Sequence, residues 1–419
     1  MKKRTYKATN VNKVDEERLF EQVFDKEIVI GIDVAKTDYF CNIMTDKRES
    51  ISTIKWKHPL ESEDMLELVS ILPARSLVIA MEPSGTYGDP IRNMFINVGI
   101  EVYRVSPKRS HDAKEVYDGV PSLHDAKSAN IIARLHLDGA SELWSFKEKH
   151  ERDLAAVVNT LDILKKQFNQ NINRLGSLLA KYWPELDGII KIDGVTILEL
   201  IKAYGSPLKI SKNKELAYSM LKKRRGNIKE EKITAILESS HKTLGVPMTL
   251  CEEEELIYLV KRTRIIQQEL SDAKKRVENL GKDIESVKSL GKVIGKATAA
   301  VVVSSAGDPL KYGAPKQYLK SIGLNLKEKS SGKYNGRHSI TKRGSSRARQ
   351  WIYFAVLRLI QKDEVIKAWY QKKVVRDGGV KMKALIAIMR KLVLSMWHVA
   401  RGSEFDSSKL FDVRKLKLE

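Results

Sequence analysis

Glu27-Ile28-Val29-Ile30-Gly31-Ile32-Asp33-Val34-Ala35-Lys36 decides how the N-terminal part of this chain folds. Its apolar block, Ile28 to Val34, is strand-like, and two similar blocks follow at Tyr39 to Met44 and Ile51 to Trp56. A helical stretch from Leu60 to Leu72 comes next. Further strands fall at Leu77 to Met81 and Val102 to Val105, with a helix near Tyr87 to Val98 between them, and another helix starts at Asp125.

Three strands, then helix, strand, helix, strand and helix, is the order of an RNase H-like fold. In that order Asp33 stands at the end of the first strand. Glu82, within Ala80-Met81-Glu82-Pro83-Ser84-Gly85, ends the fourth. Strand ends that pair in a sheet put their carboxylates side by side. The helix Asp125-Ala126-Lys127-Ser128-Ala129-Asn130-Ile131-Ile132-Ala133 can lay its first turn across them. Three carboxylates converging on one point repel each other unless a divalent cation neutralises them, and hard oxygen ligands select Mg2+ or Mn2+. Such a site activates a nucleophile and stabilises the leaving oxygen in phosphoryl transfer. Asp33, Glu82 and Asp125 are therefore the expected metal ligands and catalytic acids. Taken singly, each reads as a helix cap or a solvated residue; the combination with the strand order singles them out.

Between about residues 145 and 285 the sequence becomes long, charged and helical. Leu154, Val157, Leu161, Leu164, Phe168, Ile172 and Leu175 recur in steps of three and four, as do Ile266, Leu270, Ala273, Val277, Leu280 and Ile284. This spacing predicts two coiled-coil arms or, alternatively, helices packed in a single bundle. Tyr182 to Thr249, with Pro184, Pro207 and Pro247, reads as a small helical insertion between them. From Ser286 onward the chain is compact and basic. Leu290-Gly291-Lys292-Val293-Ile294-Gly295-Lys296 ahead of a helical run resembles the hairpin of a helix-hairpin-helix, where glycines let backbone N–H groups approach a phosphate. The expected fold class is thus α/β plus α. It comprises an RNase H-like N-terminal domain, a helical coiled-coil middle, and a mainly helical basic C-terminal domain with a helix-hairpin-helix-like element.

The chain of 419 residues carries 75 Lys and Arg against 53 Asp and Glu, a net charge of +22. Residues 286–419 hold 29 basic and 9 acidic residues, a net of +20, which leaves +2 for everything before them. A domain that neutralises phosphates is lopsided in this way, whereas a merely solubilising surface is not. The two cysteines, Cys41 and Cys251, match no metal-ligand spacing and no disulfide framework, which suits a reducing cytoplasm. No apolar core follows the basic start Met1-Lys2-Lys3-Arg4, so no signal peptide is expected. No segment reaches membrane-spanning length, so no membrane is expected as a partner.

The segments around Asp33, Glu82 and Asp125, which are 49 and 43 residues apart, resemble the DEDD-type transposases of insertion sequences. That family also contains the Piv DNA invertase, and its N-terminal domain is similar to RuvC Holliday-junction resolvases. The resemblance runs from about Glu27 to Phe405. One position departs from it. The family pattern is Asp-x-x-Asp-Ala-x-x-Ile-Ala, and Ser128 stands where the fourth carboxylate belongs. A serine hydroxyl can hold a metal-bound water but contributes no charge.

A second hallmark of the family is a Ser-Gly loop followed by Ile-Ser/Thr-Lys-Arg-Gly. It is similar to Ser330-Ser331-Gly332-Lys333 leading into Arg337-His338-Ser339-Ile340-Thr341-Lys342-Arg343-Gly344. The family's nucleophilic serine falls on Ser331, with Ser330 as the alternative. A serine hydroxyl attacks phosphorus only when a base takes its proton and positive charge stabilises the phosphorane. Lys333, Arg337, Lys342, Arg343, Arg347 and Arg349 can supply that charge and hold backbone phosphates.

The resemblance further implies a homo-oligomer, dimer or tetramer. In it the acidic domain of one protomer meets the serine domain of another, acting on element-end and target DNA chosen by a structured noncoding RNA. It divides the chain into an extension (1–26), a RuvC-like domain (27–143), coiled-coil arms with a helical insertion (144–285), a serine transposase domain (286–405) and a basic tail (406–419). The expected function is DNA strand exchange by a cytoplasmic, nucleoid-associated recombinase. The alternatives are a catalytically inactive nucleic-acid-binding relative, which Ser128 supports, and a metal-only RuvC-like nuclease, which leaves the serine domain unexplained.

Overall fold

A computed structural model describes residues 7–412, 414 and 416, apart from 84, 122–123, 146–147, 224–227, 328–329, 332–333 and 337. The chain divides into two compact units, 1–147 and 148–419.

The first unit is built on a seven-stranded sheet. In chain order its elements are β1 (Thr9–Asn10), α1 (Glu16–Val23), β2 (Glu27–Val34), β3 (Asp38–Thr45), β4 (Ser50–Lys57) and α2 (Ser62–Ser70). Then come β5 (Ser76–Met81), α3 (Asp89–Asn97), β6 (Glu101–Val105), α4 (Pro107–Asp112), α5 (Asp125–Leu137) and β7 (Ser141–Leu143). Spatially the strands run β1-β4-β3-β2-β5-β6-β7. The pairs β2/β3, β3/β4 and β6/β7 are antiparallel, and β1/β4, β2/β5 and β5/β6 are parallel. β2 is central and covered on both faces, which is why its sequence is almost continuously apolar. Ile28, Ile30 and Ile32 pack against Leu19 and Val23 of α1, Met65, Leu68 and Val69 of α2, and Ile91 and Phe95 of α3. Val29 faces the other way, into a smaller cluster with Ile131, Ile132, Ala133 and Leu135 of α5.

Residues 7–26, the described part of the N-terminal extension, contribute a strand and a helix to this unit. β1 pairs in parallel with β4, Thr9 opposite Ile54 and Asn10 opposite Lys55, and α1 buries Leu19 and Val23. A two-residue strand gives no periodicity, so only its pairing reveals it.

The helix α5 lies on β2 without the usual layer of side chains between them. A Cβ at Gly31 would sit 2.2 Å from the carbonyl oxygen of Ala129 and 2.5 Å from the amide nitrogen of Ala133. Glycine on the strand and alanines on the helix bring the two backbones into contact. A buried polar chain fixes the helix laterally, Asn130 Nδ2 donating to Asn42 Oδ1 of β3 at 3.2 Å and Arg134 Nε to Asn130 Oδ1 at 2.9 Å.

The second unit is helical. α6 (Lys149–Tyr182) and α12 (Leu250–Gly281) pair along their length, and α7 (Leu186–Ile189), α8 (Val195–Tyr204), α9 (Pro207–Lys212), α10 (Lys214–Lys223) and α11 (Glu230–Lys242) lie between them in sequence. The pair joins two cores. Leu175, Leu179, Leu256 and Val260 enter one with α8–α11, whereas Leu154, Val158, Leu161, Ala273 and Val277 enter the other with the C-terminal helices. Phe168 and Ile172 are half-buried, Ile172 packing against the core with α8–α11.

The C-terminal helices are α13 (Glu285–Ile294), α14 (Lys296–Ala306), α15 (Pro315–Ile322), α16 (Ser346–Lys362), α17 (Glu364–Arg376) and α18 (Lys381–Val399). Gly295, at φ 88°, alone separates α13 from α14. α14 is buried on nearly all sides by Ala297 and Ala299 to Val303, and forms the axis of this core. Among the described residues no helix is long and apolar enough to cross a membrane.

Any side chain at position 31 has to lift α5 off the sheet. Gly31→Ala is expected to destabilise the protein by about 1–3 kcal/mol, the usual cost of overpacking a tight core. Denaturant unfolding measures this; an unchanged midpoint would show that the close approach does not constrain the fold.

Candidate active site

The register of β2 and β5 creates the first half of the site. Ile32 pairs with Met81, so the next residues, Asp33 and Glu82, leave adjacent parallel strands at the same end. α5 supplies the second half. Its first residue is Asp125, preceded by the cap residue His124, whose ring nitrogen accepts from the Lys127 amide at 3.3 Å. A carboxylate in the first turn is favoured by the helix dipole. One turn later Ser128 is half-buried, and its hydroxyl hydrogen-bonds the carboxylate of Asp33.

Asp33 and Glu82 thus leave the same sheet end, Ser128 hydrogen-bonds Asp33, and Asp125 and Glu82 are near enough for their charges to act on it. Burial pushes the Asp33 carboxyl up to about 6, and the negative charges of Asp125 and then Glu82 add to the effect. The Val34 N–H and the Ser128 hydroxyl favour the ionised form but do not outweigh the rest. Clustered carboxylate oxygens are hard donors, the class that binds Mg2+ or Mn2+, and in that chemical sense they fit a divalent cation. They are not preassembled around one. Among the described residues no three His, Cys, Asp or Glu side chains lie together in a metal-binding group.

The segment that leads into α5 is held by a residue that no sequence signal marks. Lys127 is buried, pairs with Asp118 at 2.8 Å and donates to the Val120 carbonyl at 2.6 Å. A lysine in an amphipathic helix normally reads as a solvated residue; a partner nine residues upstream leaves no sequence signature. Gly31 did have a signal, an isolated glycine inside a strand.

In the second unit, Ser330 and Ser331 form a two-residue strand, β9, antiparallel to β10 (Tyr334–Asn335), with Ser331 opposite Tyr334. A second pair, β8 (Leu326–Lys327) and β11 (Ser339–Ile340), roots this hairpin. Its neck is tightly closed. Thr341 N–H donates to Asn325 O at 2.8 Å, Lys342 N–H to Gly323 O at 3.1 Å, and Ser345 N–H to Ser321 O at 2.9 Å. A Cβ on Gly344 would sit 2.2 Å from the Ser321 carbonyl oxygen.

The six expected phosphate-binding residues divide accordingly. Lys333 and Arg337 lie outside the described residues. Lys342, at φ 55°, and Arg343 are exposed. Arg347 pairs with Asp162 of α6, and Arg349 donates to the carbonyls of Ile322 at 2.8 Å and Gly344 at 3.1 Å, so both have a structural task at the neck.

Because the Asp33 carboxyl is raised from 3.8 to about 6, its stabilising contribution is complete below pH 3.8 and is lost as the pH rises through about 6. Above that, the ionised group costs the fold on the order of 3 kcal/mol, since each tenfold change in an ionisation equilibrium is worth about 1.4 kcal/mol. In chelator, Asp33→Asn is therefore expected to be more stable than the parent at about pH 8, and the two should converge towards about pH 4. A variant less stable at the alkaline end would contradict the assigned electrostatics.

Two family models match the chain. One described as "Transposase", of the DEDD type of IS110, matches residues 30–184 and so spans Asp33, Glu82, Asp125 and Ser128. The other, "Transposase IS116/IS110/IS902 family", matches residues 289–371 and spans the serine hairpin and its neck. No curated protein matches the chain. The chain carries transposase domains of the IS110 family.

Proposed function

We propose that this insertion-sequence transposase cuts and rejoins DNA through a serine nucleophile, Ser331 or its neighbour Ser330, assisted by a divalent-metal site at Asp33, Glu82 and Asp125. The observation that carries the reading is that Asp33, half-buried at one sheet end, lies within electrostatic reach of Glu82 and Asp125. The same chain presents the serine pair on a hairpin with a closed neck inside a transposase-matched segment.

The serine Oγ attacks a backbone phosphorus, and the P–O3′ bond breaks. The serine proton passes through a carboxylate to the departing oxygen, leaving a phosphoserine ester on the 5′ strand and a free 3′-hydroxyl. Attack by another 3′-hydroxyl reverses the step and restores a phosphodiester without ATP. When bound, Mg2+ or Mn2+ would supply positive charge at the phosphate. Lys333, Arg337, Lys342 and Arg343 hold the DNA backbone in this scheme, while Arg347 and Arg349 hold the neck. The partners are element-end and target DNA, a structured noncoding RNA that selects them, and further copies of the chain. The helix-hairpin-helix-like turn at Gly295 suits a backbone contact as well.

Ser128 gives the inactive-relative reading its one specific support. Its hydroxyl keeps a hydrogen bond to Asp33 but brings no fourth charge, which lowers the attraction for a second cation. A search for a covalent protein–DNA adduct, with element-end DNA, candidate RNA and Mg2+, separates the readings. The proposal expects an adduct that Ser331→Ala and Asp125→Ala both abolish. An adduct seen only after Ser128→Asp would establish the inactive relative, and free cut ends with no adduct would establish a metal-only nuclease.

A further inference from the structure

Beside the acidic site, the sheet face covered by α5 at β2 and β3 forms a cleft of about 870 Å³ over β4. Its floor is polar where a sheet face is usually apolar. Asn42 Nδ2 donates to Ser50 Oγ at 2.7 Å and to Thr53 Oγ1 at 2.9 Å, and Asn130, which bonds Asn42, continues the chain to Arg134. Asn42, Thr53 and Asn130 are all buried. A buried network of this kind costs desolvation unless every member is satisfied, and Arg134 at its end carries the charge to the cleft.

The outer wall comes from residues 7–22. Lys7, Lys13 and Arg18 are exposed there, and none makes an ion pair among the described residues. Among the lining residues four cations, Lys7, Lys13, Arg18 and Arg134, stand against two acids, Asp15, which caps α1, and Asp118, which is paired with Lys127. The cleft is therefore left with a positive surplus. No aromatic side chain among the described residues lines it; the lining is of charged groups, hydroxyls, amides and aliphatic groups. Bases have nothing to stack on, and what remains is the chemistry that recognises a sugar-phosphate backbone. Its volume falls in the range of small-ligand sites, roughly 300–1,000 Å³, which suits a short single strand and not a duplex.

We propose that this cleft binds the phosphodiester backbone of a single-stranded nucleic-acid segment without regard to sequence, held by the same helix that carries Asp125 and Ser128. Residues 7–26, which form the wall, precede the segment matched as a transposase domain. The inference rests on the reading of the chain as a nucleic-acid enzyme.

Photocrosslinking of the full chain to oligothymidylate and oligouridylate carrying 4-thio bases, with peptide mapping, tests it. The expected result is adducts within residues 7–22 as well as in the basic residues 286–419. The double variant Lys13→Glu, Arg18→Glu should lose the first set and keep the second. Its log affinity against log salt should also flatten by about 1.4, from about 0.7 per phosphate contact of a single strand. The milder Lys13→Gln, Arg18→Gln pair should act in the same direction if the charge reversal impairs folding. Adducts confined to residues 286–419, or an unchanged salt slope in both variants, would overturn the cleft while leaving the nucleic-acid reading intact. Adducts in neither region would overturn both. The two oligomers tell whether the strand is RNA, DNA or either.

Discussion

The contact between the backbone of β2 at Gly31 and that of α5 at Ala129 and Ala133 is the constraint on which the first unit depends. It sets the height of the helix above the sheet, and therefore where the first turn of α5 ends. Because Asp33 lies two residues beyond Gly31 and Ser128 one residue before Ala129, the same contact brings Ser128 to Asp33. The Asn42–Asn130–Arg134 chain removes the remaining sliding freedom, and Lys127 ties down the segment that enters the helix. The result is a half-buried carboxyl pushed up to about 6 by burial and by two like-charged neighbours. Such an arrangement costs stability at neutral pH unless a cation is bound, a cost found where structure serves function.

The second unit solves a different problem, the support of a small hairpin on a helical body. The α6/α12 pair is a stem with a core at each end, one of which is the C-terminal bundle around α14. Arg347 to Asp162, Arg349 to the carbonyls of Ile322 and Gly344, and Arg390 to the carbonyl of Leu324 at 3.0 Å draw the roots of the hairpin onto that body. Guanidinium groups that bond to neutral carbonyls keep their charge. The basic excess of this third of the chain therefore serves packing and leaves a positive field for phosphates.

Much of this was legible in the sequence. Long apolar blocks announced β2 to β6 because burial on both faces leaves a continuous pattern, and heptad spacing announced α6 and α12. Asp33, Glu82 and Asp125 could be picked out because the strand order sets two strand ends and a helix start side by side and the family resemblance falls on the same residues. What escaped has a common character. β1 and β9 are two residues long, too short for any period, and exist through pairing alone. The buried Lys127, the polar floor of Asn42 and Asn130, and the ion pair of Arg347 with Asp162 depend on partners remote in sequence. Their residue types are those that usually meet water. Ser128 stood out only because a carboxylate was expected there, and its hydrogen bond to Asp33 needed the fold.

Manganese binding, followed by the paramagnetic resonance of free Mn2+, tests the central claim most directly, since it reads the acidic site without DNA, RNA or the serine arm. The parent chain is expected to bind Mn2+, Asp33→Asn to abolish binding, and Gly31→Ala to weaken it at least about tenfold, equivalent to about 1.4 kcal/mol, although no ligand is altered. Equal binding by all three chains, or none by the parent, would contradict the placement of a metal at these acids and the role of the helix–strand contact in assembling them.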